Sequence, residues 1–196
     1  MSTAALAVMM EAPASLEEEF NDWYDTEHFP QRLALPGFLQ GRRWVCQQGW
    51  PRYLAVYDLA GLGALSTGAY LAVSGERSTP WSRRVLPRTV GRQRLVLESL
   101  NGVMQAGVSQ SLLLAAWPMP DAAAPVRLAI DEHLQHVPGL LSAGVFRRAD
   151  SEPNGHGLLY LIATFDHPVD TRLLHPLRRP CAVGSTLFNV YLPYTR

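Results

Sequence analysis

The stretch Trp23-Tyr24-Asp25-Thr26-Glu27-His28-Phe29-Pro30, followed by Leu35-Pro36-Gly37-Phe38, decides the predicted fold. Upstream of it, Ser15-Leu16-Glu17-Glu18 has the spacing of a capping box, which predicts a helix that begins at Ser15 and runs to about His28. Pro30 is expected to end that helix, because proline disfavours helical geometry in the residue before it. The stretch therefore predicts a helix, then a tight turn, then a strand.

The chain on either side of this stretch follows one plan twice. In the first half, the hydrophobic pattern predicts strands at 4–10, 38–46, 53–59 and 94–100, and helices at 15–28 and 61–73. In the second half, it predicts strands at 111–117, 142–148, 158–166 and 186–192, and helices at about 125–136 and 171–177. Between the two halves, Pro36-Gly37 aligns with Pro138-Gly139, Trp44 with Phe146, and Tyr57-Asp58 with Phe165-Asp166. A period near half the chain indicates a duplication.

Each half has the order βαββαβ, which is the split βαβ unit of ferredoxin-like folds. The predicted fold class is therefore α+β, with two tandem ferredoxin-like units at 1–102 and 103–196. Asn101–Gly107, with its Asn-Gly pair, is the predicted linker. Each unit has two helices on one face of its sheet, so the other, apolar face must be buried against something else.

The stretch at 23–30 with its Pro-Gly turn, called the motif from here on, resembles the helix-one signature of EthD-like proteins. These proteins are a branch of the dimeric α/β-barrel (ferredoxin-like) superfamily. That signature is a tyrosine, then His-x-Pro, then a Pro-Gly turn, matched here by Tyr24, His28-Phe29-Pro30 and Pro36-Gly37. The resemblance implies that the two sheets close on each other as a pseudo-dimeric α/β barrel, with a homodimer as the alternative assembly. It also implies a small-molecule-binding protein or a cofactor-independent enzyme, monooxygenase- or isomerase-like, acting on an apolar or aromatic organic compound. The alternative function is a non-catalytic structural or accessory protein.

The candidate catalytic residues are His28, Glu27 and Tyr24. On a helical wheel Glu27 falls on the apolar face, and Tyr24 and His28 lie at its edge. His28 is the candidate general acid or base, since histidine titrates near neutrality, and the other two would orient it or a ligand. Its place in the last helical turn favours the cationic imidazole. The competing interpretation makes His28 a helix cap, Tyr24 and Trp23 core residues, and Glu27 the partner of an arginine.

The candidate ligand-binding residues are Trp23, Arg43 and Trp44. Trp23 belongs to the motif, and the other two lie in the strand at 38–46. Because successive strand residues point to opposite faces, either Arg42 and Trp44 or Arg43 faces the barrel. The alignment of Trp44 with Phe146 favours a packing role for Trp44.

The second half lacks the motif. Counted back from its Pro-Gly turn, the positions of Trp23, Tyr24, Glu27 and His28 hold Pro125, Val126, Ala129 and Ile130. Any chemistry is therefore expected in the first half.

An arginine cluster precedes the fourth strand and consists of Arg77, Arg83, Arg84, Arg88, Arg92 and Arg94. Such a cluster can hold a carboxylate, a phosphate or nucleic acid. The favoured interpretation is that it pairs with the acidic face of helix one, formed by Glu17, Glu18, Glu19, Asp22 and Asp25.

Composition excludes several classes of function. The 17 acidic and 17 basic residues give a net charge of zero, so no nucleic-acid or anionic-membrane partner is expected. All basic residues are arginines, which excludes lysine Schiff-base chemistry. No phosphate loop or dinucleotide fingerprint occurs, so no nucleotide cofactor is expected. Haem stays an open alternative, because the sequence does not distinguish His28 as an axial ligand.

No metal site and no membrane span are expected. Asp131, His133 and His136 match no strong ligand spacing. The apolar run at 4–10 is too short to cross a bilayer or to act as a signal peptide. Cys46 and Cys181 lie far apart in the sequence and form no C-x-x-C or metal-binding spacing. This indicates free thiols in a reducing compartment, so a cytoplasmic location is expected.

Overall fold

The computed structural model describes residues 3–101, 108–118, 123–149 and 157–196. The predicted unit boundary at residue 102 lies outside these ranges and stays a prediction. Eight strands form: β1 (Ala4–Glu11), β2 (Phe38–Gln48), β3 (Tyr53–Leu59), β4 (Val90–Asn101), β5 (Ser111–Pro118), β6 (Leu140–Arg148), β7 (Leu158–Phe165) and β8 (Leu187–Pro193). All correspond to predicted strands, and the largest difference is the earlier start of β4.

The strands close into one antiparallel barrel in the order β1-β3-β2-β8-β5-β7-β6-β4. Each half keeps the ferredoxin-like order, β4-β1-β3-β2 in the first and β8-β5-β7-β6 in the second. The halves join where β2 pairs with β8 and β4 pairs with β6. The predicted α+β fold, with two ferredoxin-like sheets closing within one chain, is confirmed.

The two halves also share their strand register. Phe38 pairs with Leu59 and Leu140 pairs with Phe165, and a bulge follows immediately in both cases. Leu59 therefore corresponds to Phe165, so the predicted alignment of Tyr57-Asp58 with Phe165-Asp166 is wrong by two residues. A shift of two preserves the alternation of inward and outward side chains, so the hydrophobic pattern could not reveal it.

The barrel interior is filled by side chains. Trp44 pairs with Leu54, Phe146 pairs with Tyr160, and all four belong to the interior core, which confirms the alignment of Trp44 with Phe146. Trp44 thus faces the barrel and Arg43 faces the outer layer. This resolves the alternative that the sequence left open.

Helices cover the outer face of each sheet. In the first half these are α1 (Glu17–Trp23), α2 (Phe29–Leu33), α3 (Gly68–Leu71) and α4 (Pro80–Val85), with 3-10 segments at Ala14–Leu16, Leu62–Ser66, Gly75–Arg77 and Leu86–Arg88. In the second half these are α5 (Ala123–Leu134) and the 3-10 segments Thr171–Arg178 and Pro180–Ala182. Each half has its own apolar cluster between helices and sheet.

The single helix predicted at 61–73 is wrong. The segment breaks into a 3-10 turn followed by the short helix α3, whose N-cap is Thr67 in an extended conformation. The hydroxyl of Thr67 accepts a hydrogen bond from the Tyr70 amide at 3.1 Å. Three glycines, at 61, 63 and 68, weaken a continuous helix here. The result is an irregular wall from 62 to 88 instead of a second packed helix.

Pro30 does not end the first helix, contrary to the prediction. Tyr24–His28 forms a π-helical turn, in which the Phe29 amide donates to the Tyr24 carbonyl. In a regular α-helix the proline ring would clash with the carbonyl four residues earlier. A π turn inserts one residue and relieves that clash, so the chain continues as α2 to Leu33.

The predicted capping box is also wrong. The residues at the two N-caps, Pro13 and Leu16, make no side-chain cap bond. The Glu17 carboxylate instead accepts a hydrogen bond from the Tyr53 hydroxyl at 2.6 Å and pairs with Arg52 at 2.8 Å. Contacts with the sheet therefore fix the start of the helix.

The acidic face of helix one pairs with arginines, but only partly with the predicted cluster. Arg84 of that cluster pairs with Glu19. Asp22, Asp25 and Glu17 pair instead with Arg196, Arg43 and Arg52. Other members of the cluster are thus left for a different role.

Replacing Gly37 with Ala should destabilise the fold by about 1–3 kcal/mol, since its φ is 85° and a Cβ would lie 2.7 Å from the Ala64 Cβ. Gly63→Ala is the matched control, because nothing lies within 4 Å of its Cβ position. Its free energy of unfolding should change by less than about 0.5 kcal/mol. Urea unfolding of both variants checks this, and equal costs would contradict the proposed turn geometry.

Candidate functional site

A cavity of about 290 Å³ lies between the outer face of the first sheet and its covering helices. Its floor is β1, from which Leu6, Val8 and Met10 project. The remaining lining residues come from α1–α2, β3, β4 and the irregular wall: His28, Arg32, Tyr57, Tyr70, Ser74, Gly75, Ser78, Leu86, Arg92 and Arg94. An apolar floor with converging polar groups is the usual composition of a small-molecule site.

His28 enters the cavity wall because of the π turn. Its ring packs against Trp23 in a tilted arrangement with centroids 4.5 Å apart, and it meets Tyr24 edge-on at 5.2 Å. The Nδ1 atom is buried and has no hydrogen-bond partner among the described residues. Burial, with smaller contributions from Arg32 and Arg43, lowers the pKa of His28 from 6.5 to about 3. The expected cationic imidazole is therefore wrong: desolvation outweighs the helix C-terminus, and the ring is neutral at physiological pH.

Two tyrosine hydroxyls lie behind and beside His28. The hydroxyls of Tyr24 and Tyr57 are buried, and within the described part of the chain each is the hydrogen-bonding neighbour of the other. Burial raises the pKa of both, and each hydroxyl influences the pKa of the other. Both phenols are therefore protonated at neutral pH.

Arg32 is the charged group of the helix wall and is only 7% exposed. Its guanidinium donates to the Val73 carbonyl at 2.9 Å and to the Ser74 hydroxyl at 3.3 Å. It also lies 5.4 Å from the centre of the Tyr70 ring. Arg94 enters from β4 and donates to the Tyr70 hydroxyl at 3.2 Å. Two guanidinium groups thus approach the same tyrosine from different elements.

Of the six predicted site residues, only His28 lines this cavity. Tyr24 supports the His28 ring from behind. Trp23 is fully buried and donates from Nε1 to the Ser82 hydroxyl at 3.1 Å. The Glu27 carboxylate accepts a hydrogen bond from the Thr79 hydroxyl at 2.5 Å. It therefore holds the cap of α4 and is not at the cavity surface.

Arg43 and Trp44 lie elsewhere in the first half. Arg43 is paired with Asp25 and donates to the Asn21 side chain at 2.7 Å. Its guanidinium lies between the rings of Tyr24 and Tyr194, at 4.4 and 4.0 Å. Trp44 is in the barrel interior, separated from the cavity by the sheet. These contacts are those of packing residues.

The sequence analysis missed Arg32, Tyr57 and Tyr70 as cavity residues. Arg32 follows His28 by four residues, the spacing of one helix face, but a helix that ends at Pro30, as the sequence predicts, does not include Arg32. Tyr57 and Tyr70 lie on other elements, and only the fold brings them here. Arg92 and Arg94 were noticed only as members of the charged cluster.

The second half fills the corresponding place with apolar side chains. Counted from the Pro-Gly turns, His28 and Arg32 correspond to Ile130 and Leu134, and the strand register matches Tyr57 with Ala163. All three second-half residues are buried in its outer core. The polar cavity residues are therefore specific to the first half.

Within the described ranges, no group of three or more His, Cys, Asp or Glu residues is placed to hold a metal ion. His133 contacts the Leu173 carbonyl at 2.6 Å and His136 contacts the Glu132 carbonyl at 2.7 Å. No helix in those ranges is long and apolar enough to cross a membrane.

No family model matches the sequence, and no curated protein matches it. Solved structures do match it along almost the whole chain. A provisionally assigned monooxygenase from Lactobacillus acidophilus has a TM-score of 0.61 at 12% identity, covering 98% of this chain and 93% of its own. An anthrone oxidase-like protein has a TM-score of 0.59 at 12% identity, covering 100% and 94%. A haem-binding protein from Thermus thermophilus has a TM-score of 0.54 at 10% identity, covering 99% and 92%. At these identities the similarity shows the fold alone, a closed barrel of two ferredoxin-like sheets.

Replacing His28 with Phe should remove a pH dependence of stability while keeping an aromatic ring against Trp23. Because the pKa is lowered to about 3 in the folded protein, the unfolded chain alone binds a proton between about 3 and 6.5. Wild-type stability from this group is therefore complete above 6.5 and is lost as the pH falls. Relative to wild type, the variant should gain up to about 1.4 kcal/mol per pH unit below 6.5.

The matched control is His175→Phe, at an exposed position. Denaturant unfolding at several pH values gives the difference between variant and wild type. Asp58, whose pKa burial raises to about 6, contributes equally to both proteins and cancels. A His28 imidazole that NMR shows to be protonated just below neutral pH would contradict the prediction.

Proposed function

We propose that the protein binds a small, largely apolar or aromatic organic compound in the first-half cavity. We further propose that it acts on this compound as a cofactor-independent enzyme of the EthD-like kind, monooxygenase- or isomerase-like. The observation that carries the proposal is the set of polar groups gathered over an apolar floor, with the imidazole of His28 and the phenol of Tyr57 in the lining. The corresponding place in the second half has only apolar side chains.

The size of the cavity supports a ligand of one or two rings. Its volume of about 290 Å³ is at the lower limit of the range of about 300–1,000 Å³ for ligand pockets. Leu6, Val8 and Met10 would contact the flat, apolar part of such a compound. The hydroxyls of Tyr57, Tyr70 and the two serines would contact its polar substituents.

The neutral state of His28 determines its proposed role. A neutral imidazole offers one N–H donor and one lone pair, so it can orient a hydroxyl or carbonyl group of the substrate. Its low pKa makes it a weak proton acceptor in the empty site. We therefore propose His28 as the group that touches the substrate, and Tyr24 as a positioning residue that acts through His28. Glu27 would hold the wall through Thr79.

Haem is not part of the proposal, although one structural neighbour is a haem-binding protein. His28 could supply an axial nitrogen. The cavity, however, is smaller than most drug-sized pockets and cannot enclose a tetrapyrrole. We derive no haem chemistry from these residues.

Filling the cavity should abolish binding of a neutral aromatic probe such as naphthol. Ser78→Phe places a ring in the cavity from a loop position, and calorimetric titration should show a loss of affinity of about tenfold or more. Ser66→Phe is the matched control, because Ser66 is exposed in the neighbouring 3-10 segment and does not line the cavity. It should bind naphthol like wild type.

Equal binding by wild type and both variants would place the probe elsewhere and contradict the proposal. The same holds if wild type does not bind naphthol at all, since an accessory protein would then be the better description. The absorption spectrum of the purified protein should also lack a Soret band. A Soret band would overturn the cofactor-independent interpretation.

A further inference from the structure

We infer that the ligand of this cavity carries a carboxylate or an equivalent oxyanion on its apolar body, and that Arg32 and Arg94 bind this group. The inference rests on the proposed function, because it specifies the ligand of the same cavity. Nothing in the fold alone requires it. It follows from the charges of the described residues that surround the cavity.

Arg32 is a buried cation without an anionic partner among the described residues. Its neighbours there are the Val73 carbonyl, the Ser74 hydroxyl and the face of Tyr70, all of them uncharged. No carboxylate in the same ranges forms an ion pair with it. A buried charge without a counter-charge is among the most costly features of a folded protein. A ligand that supplies the negative charge would remove that cost.

The second cation makes the imbalance larger. Burial lowers the pKa of Arg32, Tyr70, Tyr57 and Tyr24 act in the opposite direction, and Arg94 is close enough to lower the pKa further. Arg92 also lines the cavity, and none of the described lining residues is acidic. The described lining therefore has three guanidinium groups and no carboxylate. An anion between Arg32 and Arg94 would replace repulsion with two charge-assisted hydrogen bonds.

Arg43, the other well-buried arginine of the described residues, serves as a comparison, because all its contacts are structural. Arg43 is 6% exposed, nearly the same as Arg32. It has Asp25 as its counter-ion, Asn21 as a second acceptor, and aromatic rings on both faces. The fold thus neutralises Arg43 from within and leaves Arg32 for a partner from outside.

The geometry favours an aromatic or aliphatic carboxylate over a polyanion. β1 provides a continuous apolar surface of three side chains, which a polyanion without an apolar body would leave uncovered. The arginines lie on the surrounding elements, α2 and β4. A ligand with one charged end and one apolar body matches both surfaces at once. Tyr70, which contacts both guanidinium groups, would lie beside the charged end.

The test compares naphthoate with naphthamide, which have the same shape and differ in charge. Calorimetric titration of the full chain near neutral pH should give naphthoate an affinity higher by about tenfold or more. The preference should fall in high salt. Arg32→Met should reduce the ratio of the two affinities to near one. Arg94→Gln, at an exposed strand position that tolerates change, should also reduce this ratio of affinities. This second variant keeps the test decisive if Arg32→Met does not fold.

Arg88→Gln is the matched control, because it removes the same charge from the neighbouring segment outside the cavity lining. It should leave the ratio unchanged. If naphthamide binds as tightly as naphthoate and Ser78→Phe blocks both, the inference is wrong and the proposed function stands. If Ser78→Phe prevents the binding of neither naphthoate nor naphthamide, the inference and the proposed function are both wrong.

Discussion

The π-helical turn at Tyr24–His28 is the constraint on which the candidate site depends. The extra residue in this turn rotates the helix that follows, so that His28, and not Glu27, packs against Trp23 and reaches the cavity. Arg32 then follows on the same helix and reaches the cavity too. The cause is local, since a regular helix would bring the Pro30 ring against a carbonyl. As a consequence, a different set of helix side chains faces the first sheet.

The two halves of the barrel solve the same packing problem differently. In the second half, α5 lays Ile130 and Leu134 directly on its sheet, and the core is continuous. In the first half, the corresponding helix carries a neutral imidazole and a guanidinium, and the irregular wall leaves space beside them. The interior of the barrel, filled by Trp44 and Phe146 among others, is common to both. Stability can thus come from the shared interior and the second half, while the first half tolerates unpaired polar groups.

The sequence was sufficient for the architecture because that depends on repeated, local signals. Strand alternation and the turns at Gly37 and Gly139, both with positive φ, predicted eight strands in two ferredoxin-like units, and the family resemblance implied that the two sheets close into a barrel. The site was less predictable for a specific reason. A helical wheel assumes a constant 3.6-residue period, and the residue inserted in the π turn Tyr24–His28 invalidated the wheel from that turn onward. Glu27 was therefore placed inward and Arg32 was not considered, whereas Tyr57 and Tyr70 depend on long-range contacts that no local pattern encodes.

The cavity wall opposite the helix is attached to that same helix on both sides of the span 74–78. Before the span, the Val73 carbonyl accepts a hydrogen bond from Arg32, and after it, the Thr79 hydroxyl donates to Glu27. Ser74, Gly75 and Ser78, which lie within the span, form part of the lining. The distance between the two attachment points is set by the helix. The width of the cavity beside this span is therefore a property of helix geometry, and Glu27, which does not line the cavity, can help to determine how large a molecule fits there.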